Sequence, residues 1–384
     1  MTSTLARNYQ CSCGKPVFFR NSSCLSCGSA LGYVADEGAL YALRSAEAPD
    51  RFYLDGRRGI PYRRCQNFSS AIGCNWLVRD DGGATAALCL SCRLSRIIPD
   101  QSYPGNAELW RRMESAKRRM VSQLIGLGLP VVPKADDPAR GLAFDFLHSE
   151  PGAPVMTGHA GGVITINIEE ADDAFRERAR VQFGEPYRTL LGHLRHEVGH
   201  YYWDRLVVQT AWLTPFRELF GDERQDYAAA LKRHYDAGPQ KGWKQRFISA
   251  YAGAHPWEDW AETWAHYLHL RDTLDTAQSF GMVVGAQTLD SPDGRGPGGA
   301  PFLARDLWRQ DHPTGLEFLS LLRDWVAVTC VMNEMSRAMG QPDFYPFVLP
   351  AAVVAKLHFI HCLIDAHSDA PSASAQDGMS GVAT

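Results

Sequence analysis

The chain has 384 residues, 45% hydrophobic and 21% charged, which is globular composition; it excludes a wholly disordered protein and implies two or three domains. The net charge of −4 gives no global polycation to argue for nucleic acid. That total hides an asymmetry: residues 1–120 hold 17 Lys+Arg against 10 Asp+Glu, and residues 121–384 hold 22 against 33, so two differently built parts are expected.

No apolar run reaches the roughly 18 residues of a transmembrane helix, and MTSTLARNYQCSCG lacks the apolar core of a secretory signal. A soluble, cytoplasmic protein is expected. Cysteines stay reduced there, so clustered ones point to metal rather than disulfides. Eight of the ten cysteines lie between Cys11 and Cys92, in a region rich in Gly and Arg. Cys11, Cys13, Cys24 and Cys27 form one group of four; Cys65, Cys74, Cys89 and Cys92 form a second. Four thiolates complete a tetrahedral zinc site, and a region so poor in apolar residues needs metal to fold. Two structural zinc ions are expected, each group taken in chain order, with a cross-braced pairing as the alternative. Two ions on eight thiolates leave residues 1–120 at about +3, so nucleic-acid binding is not expected. A protein partner at the ribbons is the open possibility.

From Asn106 the pattern turns helical. Leu109, Met113, Ala116, Met120, Leu124 and Leu127 recur at helical spacing up to Gly128-Leu129-Pro130. Arg111, Arg112, Lys117, Arg118 and Arg119 between them read as a solvated face. Strands are expected at Leu142–Leu147 and Val163–Ile168, with a turn at Gly158–Gly162 between them. Val163–Ile168 is either an unpaired edge for an extended substrate or a plain core strand. Helices are expected from Asp172 to about Phe216, broken at Gly184-Glu185-Pro186, then over Asp222–Tyr235 and after Pro256. Gly285–Ala300 reads as a loop, and apolar helices follow around Gly315–Met339 and Pro350–Ala366. The tail from His367 should be disordered. Cys330 and Cys362 read as small core residues.

The chemistry sits in His196-Glu197-Val198-Gly199-His200. On a helix the two imidazoles stand one turn apart and can bind one zinc, with Glu197 placed to take a proton from zinc-activated water. Leu190, Leu194, Val198 and Tyr202 form an apolar stripe on the other side; His193 reads as a polar surface residue, with a group that supports the site from behind as the alternative. A third ligand is sought in the helix opened by Pro256, where Glu258, Glu262 and His266 share a face. Spacing alone leaves Glu258 and Glu262 both open.

These residues carry a resemblance. HExxH followed by a Glu on a later helix looks like the gluzincin type of zinc peptidase. Tyr251…Glu258-Asp259-Trp260-Ala261-Glu262 is similar to the catalytic core of anthrax lethal factor. With its ribbons and the segments HEVGHYYWDRL, FGDERQDY and HPWEDWAETWAHYLHL, the chain resembles a bacterial family of zinc-binding metallopeptidases with an N-terminal zinc ribbon. The resemblance implies one catalytic zinc on His196, His200 and Glu258. It also implies Glu197 as general base, Tyr251 as transition-state donor, and Glu262 with His266 as supports of the ligands. The fold expected is α+β, a mostly helical zincin-like domain over 101–366 behind a ribbon region over 1–100, with a tail over 367–384. The function expected is hydrolysis of a peptide or protein substrate. The alternative is a ribbon-based binding or regulatory protein with an inactive zincin domain.

Overall fold

The computed structural model describes residues 5–57, 59–81, 87–150, 152–183, 185, 188–282 and 302–368. The loop expected at 285–300 lies outside them, as does the tail expected from His367, except that His367 and Ser368 continue the last helix.

The first hundred residues build strands that sequence reading did not assign. β1 (Tyr9–Gln10) and β2 (Pro16–Val17) form a hairpin. β3 (Leu31–Val34), β4 (Ala39–Ser45), β5 (Arg51–Leu54), β6 (Tyr62–Arg64) and β7 (Leu77–Arg79) follow as an antiparallel meander in that order. A bridge between Tyr33 and Trp76 curls the meander back on itself. Most of these strands are too short to display a period of two. Only β4 is long enough, and its residues do alternate in burial.

After α1 (Leu90–Arg93) comes a second sheet, made of β8 (Ser95–Ile97), β9 (Ala143–Leu147), β10 (Gly158–Ala160) and β11 (Val163–Asn167). The long helix α2 (Asn106–Gly126) joins β8 to the parallel strand β9, a βαβ unit. The order β10-β11-β9-β8 selects the core strand of the two readings of Val163–Ile168 and corrects the turn expected before it. β11 is paired on both sides, so it offers no edge. Gly158–Gly162 is more than a turn: three of its residues form β10, and the reversal falls on Gly161 and Gly162, both at positive φ.

The remaining elements are helices: α3 (Asp173–Phe183), α4 (Leu190–Leu206), α5 (Leu213–Phe220), α6 (Tyr227–Ala237), α7 (Pro256–Ser279), α8 (Gly315–Ala338) and α9 (Ala351–Ser368). α6 begins later than expected because Asp226 is its cap, its carboxylate accepting the Ala229 N–H at 2.9 Å. α7 lies at the centre, packed on α4, with α8 and α9 also against it and α2 behind α4. One continuous hydrophobic core runs from Tyr33 and Trp76 in the meander, through Val198, Trp260 and Trp264, to Ile360 on α9.

The basic face expected on α2 is not solvated. Lys117 is fully buried and paired with Glu114 at 2.8 Å, and Arg118 is buried. Arg119 reaches across to Asp272 on α7 at 2.8 Å. Arg111 and Arg112 alone behave as expected, at the rim with Glu108. Lys117 pairs within its own helix, Arg118 donates to the Ile72 carbonyl and Arg119 reaches α7, so the packing around α2 turns this face inward, which local periodicity does not reveal. Among the described residues no helix is long and apolar enough to cross a membrane.

Candidate metal centres

Helix α4 starts at Thr189, whose hydroxyl accepts the Gly192 N–H at 3.0 Å. Every residue from Leu194 to Trp203 is buried, so the histidine face is covered as fully as the apolar one. What covers it is α7. Pro256 occupies the first turn of α7, and the His255 imidazole caps it by accepting the Trp257 N–H at 3.1 Å. The two helices touch at Gly199, where a Cβ would stand 3.1 Å from the Ala261 Cα and 3.2 Å from the Trp264 ring. Trp260 closes the contact by donating Nε1–H to the Gly199 carbonyl at 2.8 Å.

This approach brings Glu258 onto the two histidines. Ligand atoms of His196, His200 and Glu258 all lie within 4.8 Å of one another. His196 Nε2 is 3.0 Å and His200 Nε2 3.6 Å from the Glu258 carboxylate. Tetrahedral zinc, with bonds of about 2.0–2.2 Å, sets such atoms roughly 3.3–3.5 Å apart. Glu258 Oε2 has no hydrogen-bond partner despite its closeness to His196. An ion shared by the two atoms would satisfy both. His200 Nδ1 and Glu197 Oε2 are also buried without partners. Buried polar groups are seldom left so, and this donor set suits a zinc ion.

Glu262 takes the other place. Its Oε1 lies 2.7 Å from His196 Nδ1, and its Oε2 accepts from the Ser249 hydroxyl at 2.6 Å. A carboxylate on the far nitrogen fixes the tautomer and the ring plane of a metal-binding histidine. Burial works against a charged His196, but Glu258 and Glu262 outweigh it and hold its pKa well above the usual value. Burial likewise opposes ionisation of Glu258, and His200 and His196 more than reverse that. The centre therefore calls for a cation at Nε2, which a metal supplies as well as a proton.

Glu197 sits beside a residue read differently from sequence. His193 is no surface group: its side chain is 19% exposed and lies between two carboxylates, 3.4 Å from Glu197 and 3.6 Å from Glu170. Burial opposes its charge, yet Glu170 and Glu197 raise its pKa to about 9. Glu170 is held in turn by Arg188 at 2.6 Å.

Tyr251 is placed near the centre, its ring centroid 6.1 Å from that of His196. Tyr227, which sequence reading missed, donates its hydroxyl to Glu258 Oε1 at 2.6 Å. It opens α6, thirty-one residues from its partner, and no spacing signal links the two. His266 stands farther back, with Nδ1 2.7 Å from the Tyr345 hydroxyl. Asn333 binds the Tyr345 backbone at 2.9 and 3.0 Å, and so buttresses this layer.

The eight cysteines of the two groups form no disulfides. Cys11, Cys13, Cys24 and Cys27 gather at one point, and Cys65, Cys74, Cys89 and Cys92 at another, which is the chain-order grouping and not the cross-braced one. Sulfur separations of 3.7 Å recur in both groups. Four sulfurs about 2.3 Å from zinc would be roughly 3.8 Å apart. In the second group the Cys89 N–H points to Cys65 Sγ at 3.3 Å, the kind of donor that steadies a thiolate.

Comparison with known proteins assigns families to both parts of the chain. Residues 8–103 match a zinc-ribbon domain, and residues 106–363 match a family described as "Putative zinc-binding metallo-peptidase". Uncharacterized proteins of Mycobacterium tuberculosis and Mycobacterium bovis are 43% identical over 361 residues, covering 94% of this chain and 95% of theirs. No solved structure matches the chain. The chain thus belongs to that zinc-binding metallopeptidase family and carries a zinc-ribbon domain ahead of the peptidase part.

Proposed function

We propose that the α4–α7 centre hydrolyses peptide bonds in a peptide or protein substrate, with one catalytic zinc held by His196, His200 and Glu258 in a zincin-like domain. The observation that carries this reading is the convergence of those three ligand groups next to Glu197. Bound there, zinc supplies Lewis acidity, polarising the scissile carbonyl and lowering the pKa of the attacking water toward about 7.

The chain's own residues do the rest. Glu197 accepts the water's proton on a carboxylate whose Oε2 has no other partner, then delivers it to the leaving amine. His193 keeps that carboxylate ionised until it is needed. Tyr251 donates a hydrogen bond to the carbonyl oxygen as negative charge grows on it. Glu262 and Ser249 fix the His196 ring, Tyr227 fixes Glu258, and His266 supports the layer behind. An extended substrate adds along β10, the strand at the end of the second sheet that packs near α4.

Two structural zinc ions hold the ribbon region, 1–100, ahead of the peptidase domain, 101–366, and the tail, 367–384. Cys13 and Cys27 lie at an exposed rim where a protein partner could sit. Thiol-only sites suit a reducing compartment, here the cytoplasm.

Glu197→Gln tests the reading. The variant should keep its zinc and its fold and lose hydrolysis roughly 10²–10⁴-fold. Cleavage at the parent rate, with zinc retained, would remove Glu197 as the base.

A further inference from the structure

His358 and Cys362 stand one turn apart on α9, and His312, from the turn before α8, comes to the same place. One ligand atom from each lies within 4.8 Å of the other two. His358 Nε2 is 3.3 Å from Cys362 Sγ. His358 and Cys362 are 0% and 1% exposed, while His312 is half-buried and gives access from outside. The His358 Nδ1 has no hydrogen-bond partner, which is costly for a polar atom in a core. The neighbouring His361 does not join the group; its Nδ1 pairs with the Tyr267 hydroxyl at 2.9 Å. None of these residues belongs to the peptidase centre or to the ribbons.

Zinc bonds of about 2.0–2.1 Å to nitrogen and 2.3 Å to sulfur set the two atoms roughly 3.5 Å apart in a tetrahedron. Two imidazoles and a thiolate suit zinc and its soft neighbours, and do not suit magnesium or calcium. We propose that His312, His358 and Cys362 form a further metal site for a zinc-class divalent cation, with one position left to water. The ion staples the turn before α8 onto α9. That helix backs the catalytic layer, because Lys356 on α9 reaches Asp259, next to Glu258, at 2.6 Å.

The competing account is a thiol–imidazole hydrogen bond within α9, which the 3.3 Å separation also permits. Cadmium-113 resonance of the full chain, loaded with cadmium to saturation, separates the two, because the shift reports how many sulfurs hold each ion. The parent should show a single-sulfur resonance apart from the four-sulfur signals of the ribbons and the sulfur-free signal of the His–His–Glu centre. Cys362→Ser and His312→Ala should each abolish it. His312→Ala changes a half-buried turn, and intact four-sulfur signals show that the fold is kept. A saturated parent with no single-sulfur resonance overturns the site, as does one that persists in both variants. A single-sulfur resonance without the sulfur-free one supports this site and counts against the catalytic centre instead.

Discussion

Between Glu170 and Glu197, the His193 imidazole keeps its charge up to a pH of about 9. Its effect on stability follows from that sign. The contribution of His193 is complete below its ordinary pKa of 6.5 and fades as pH rises through about 9. Glu170, which burial would push up but His193 and Arg188 pull down to about 2, contributes fully above 4.5 and loses that contribution as pH falls through about 2. The pair is therefore most favourable between those ordinary values. For activity the consequence is sharper. Burial tends to raise the Glu197 pKa, and His193 is the first of the groups that lower it. His193→Ala should therefore move the acid limb of the kcat/KM profile to higher pH. An acid limb that stays in place would make His193 a packing residue only.

The contact between α4 and α7 is where two elements become one site. Gly199 stands between the two histidines' turns and the helix that carries Glu258, and a Cβ there would sit tighter than ordinary van der Waals contact. Gly199→Ala must push α7 outward by a few tenths of an ångström or bend it, at a cost of about 1–3 kcal/mol. The expected result is weaker zinc binding at the His–His–Glu centre, with the ribbon zinc retained. Competition against a chromophoric chelator measures it. Parent affinity in the variant would show that the helices can part without disturbing the ligands.

Across the whole molecule, Asp272 ties the parts together. The guanidinium of Arg7, from before β1, reaches it at 3.0 Å; Arg119 of α2 and Arg195 of α4 do so at 2.8 Å. Burial would raise the Asp272 pKa, but the three cations hold it far below the usual carboxylate range. Removing the anion leaves buried cations uncompensated, which typically costs about 3–5 kcal/mol. Asp272→Asn should lose that much in urea denaturation; a loss under about 1 kcal/mol would mean that the network relaxes. Because the ribbon region shares one core with the helices, the metal-loaded chain should unfold in a single transition.

Where chemistry and period are local, the sequence by itself was enough. The HExxH turn, the close cysteine pairs within the two groups, the long helices and the two apolar strands declare themselves within short stretches, because one helical turn or one thiol loop fits inside such a window. Apart from β4, the ribbon strands escaped notice since two to four residues carry too little pattern. The inward turn of Lys117 and Arg118, the charged role of His193, the Tyr227 hydroxyl on Glu258 and the paired state of β11 belong to tertiary structure alone. Each depends on contacts that form only in the fold, and burial, which decides whether a charge is solvated or held, is set only when the helices close on one another.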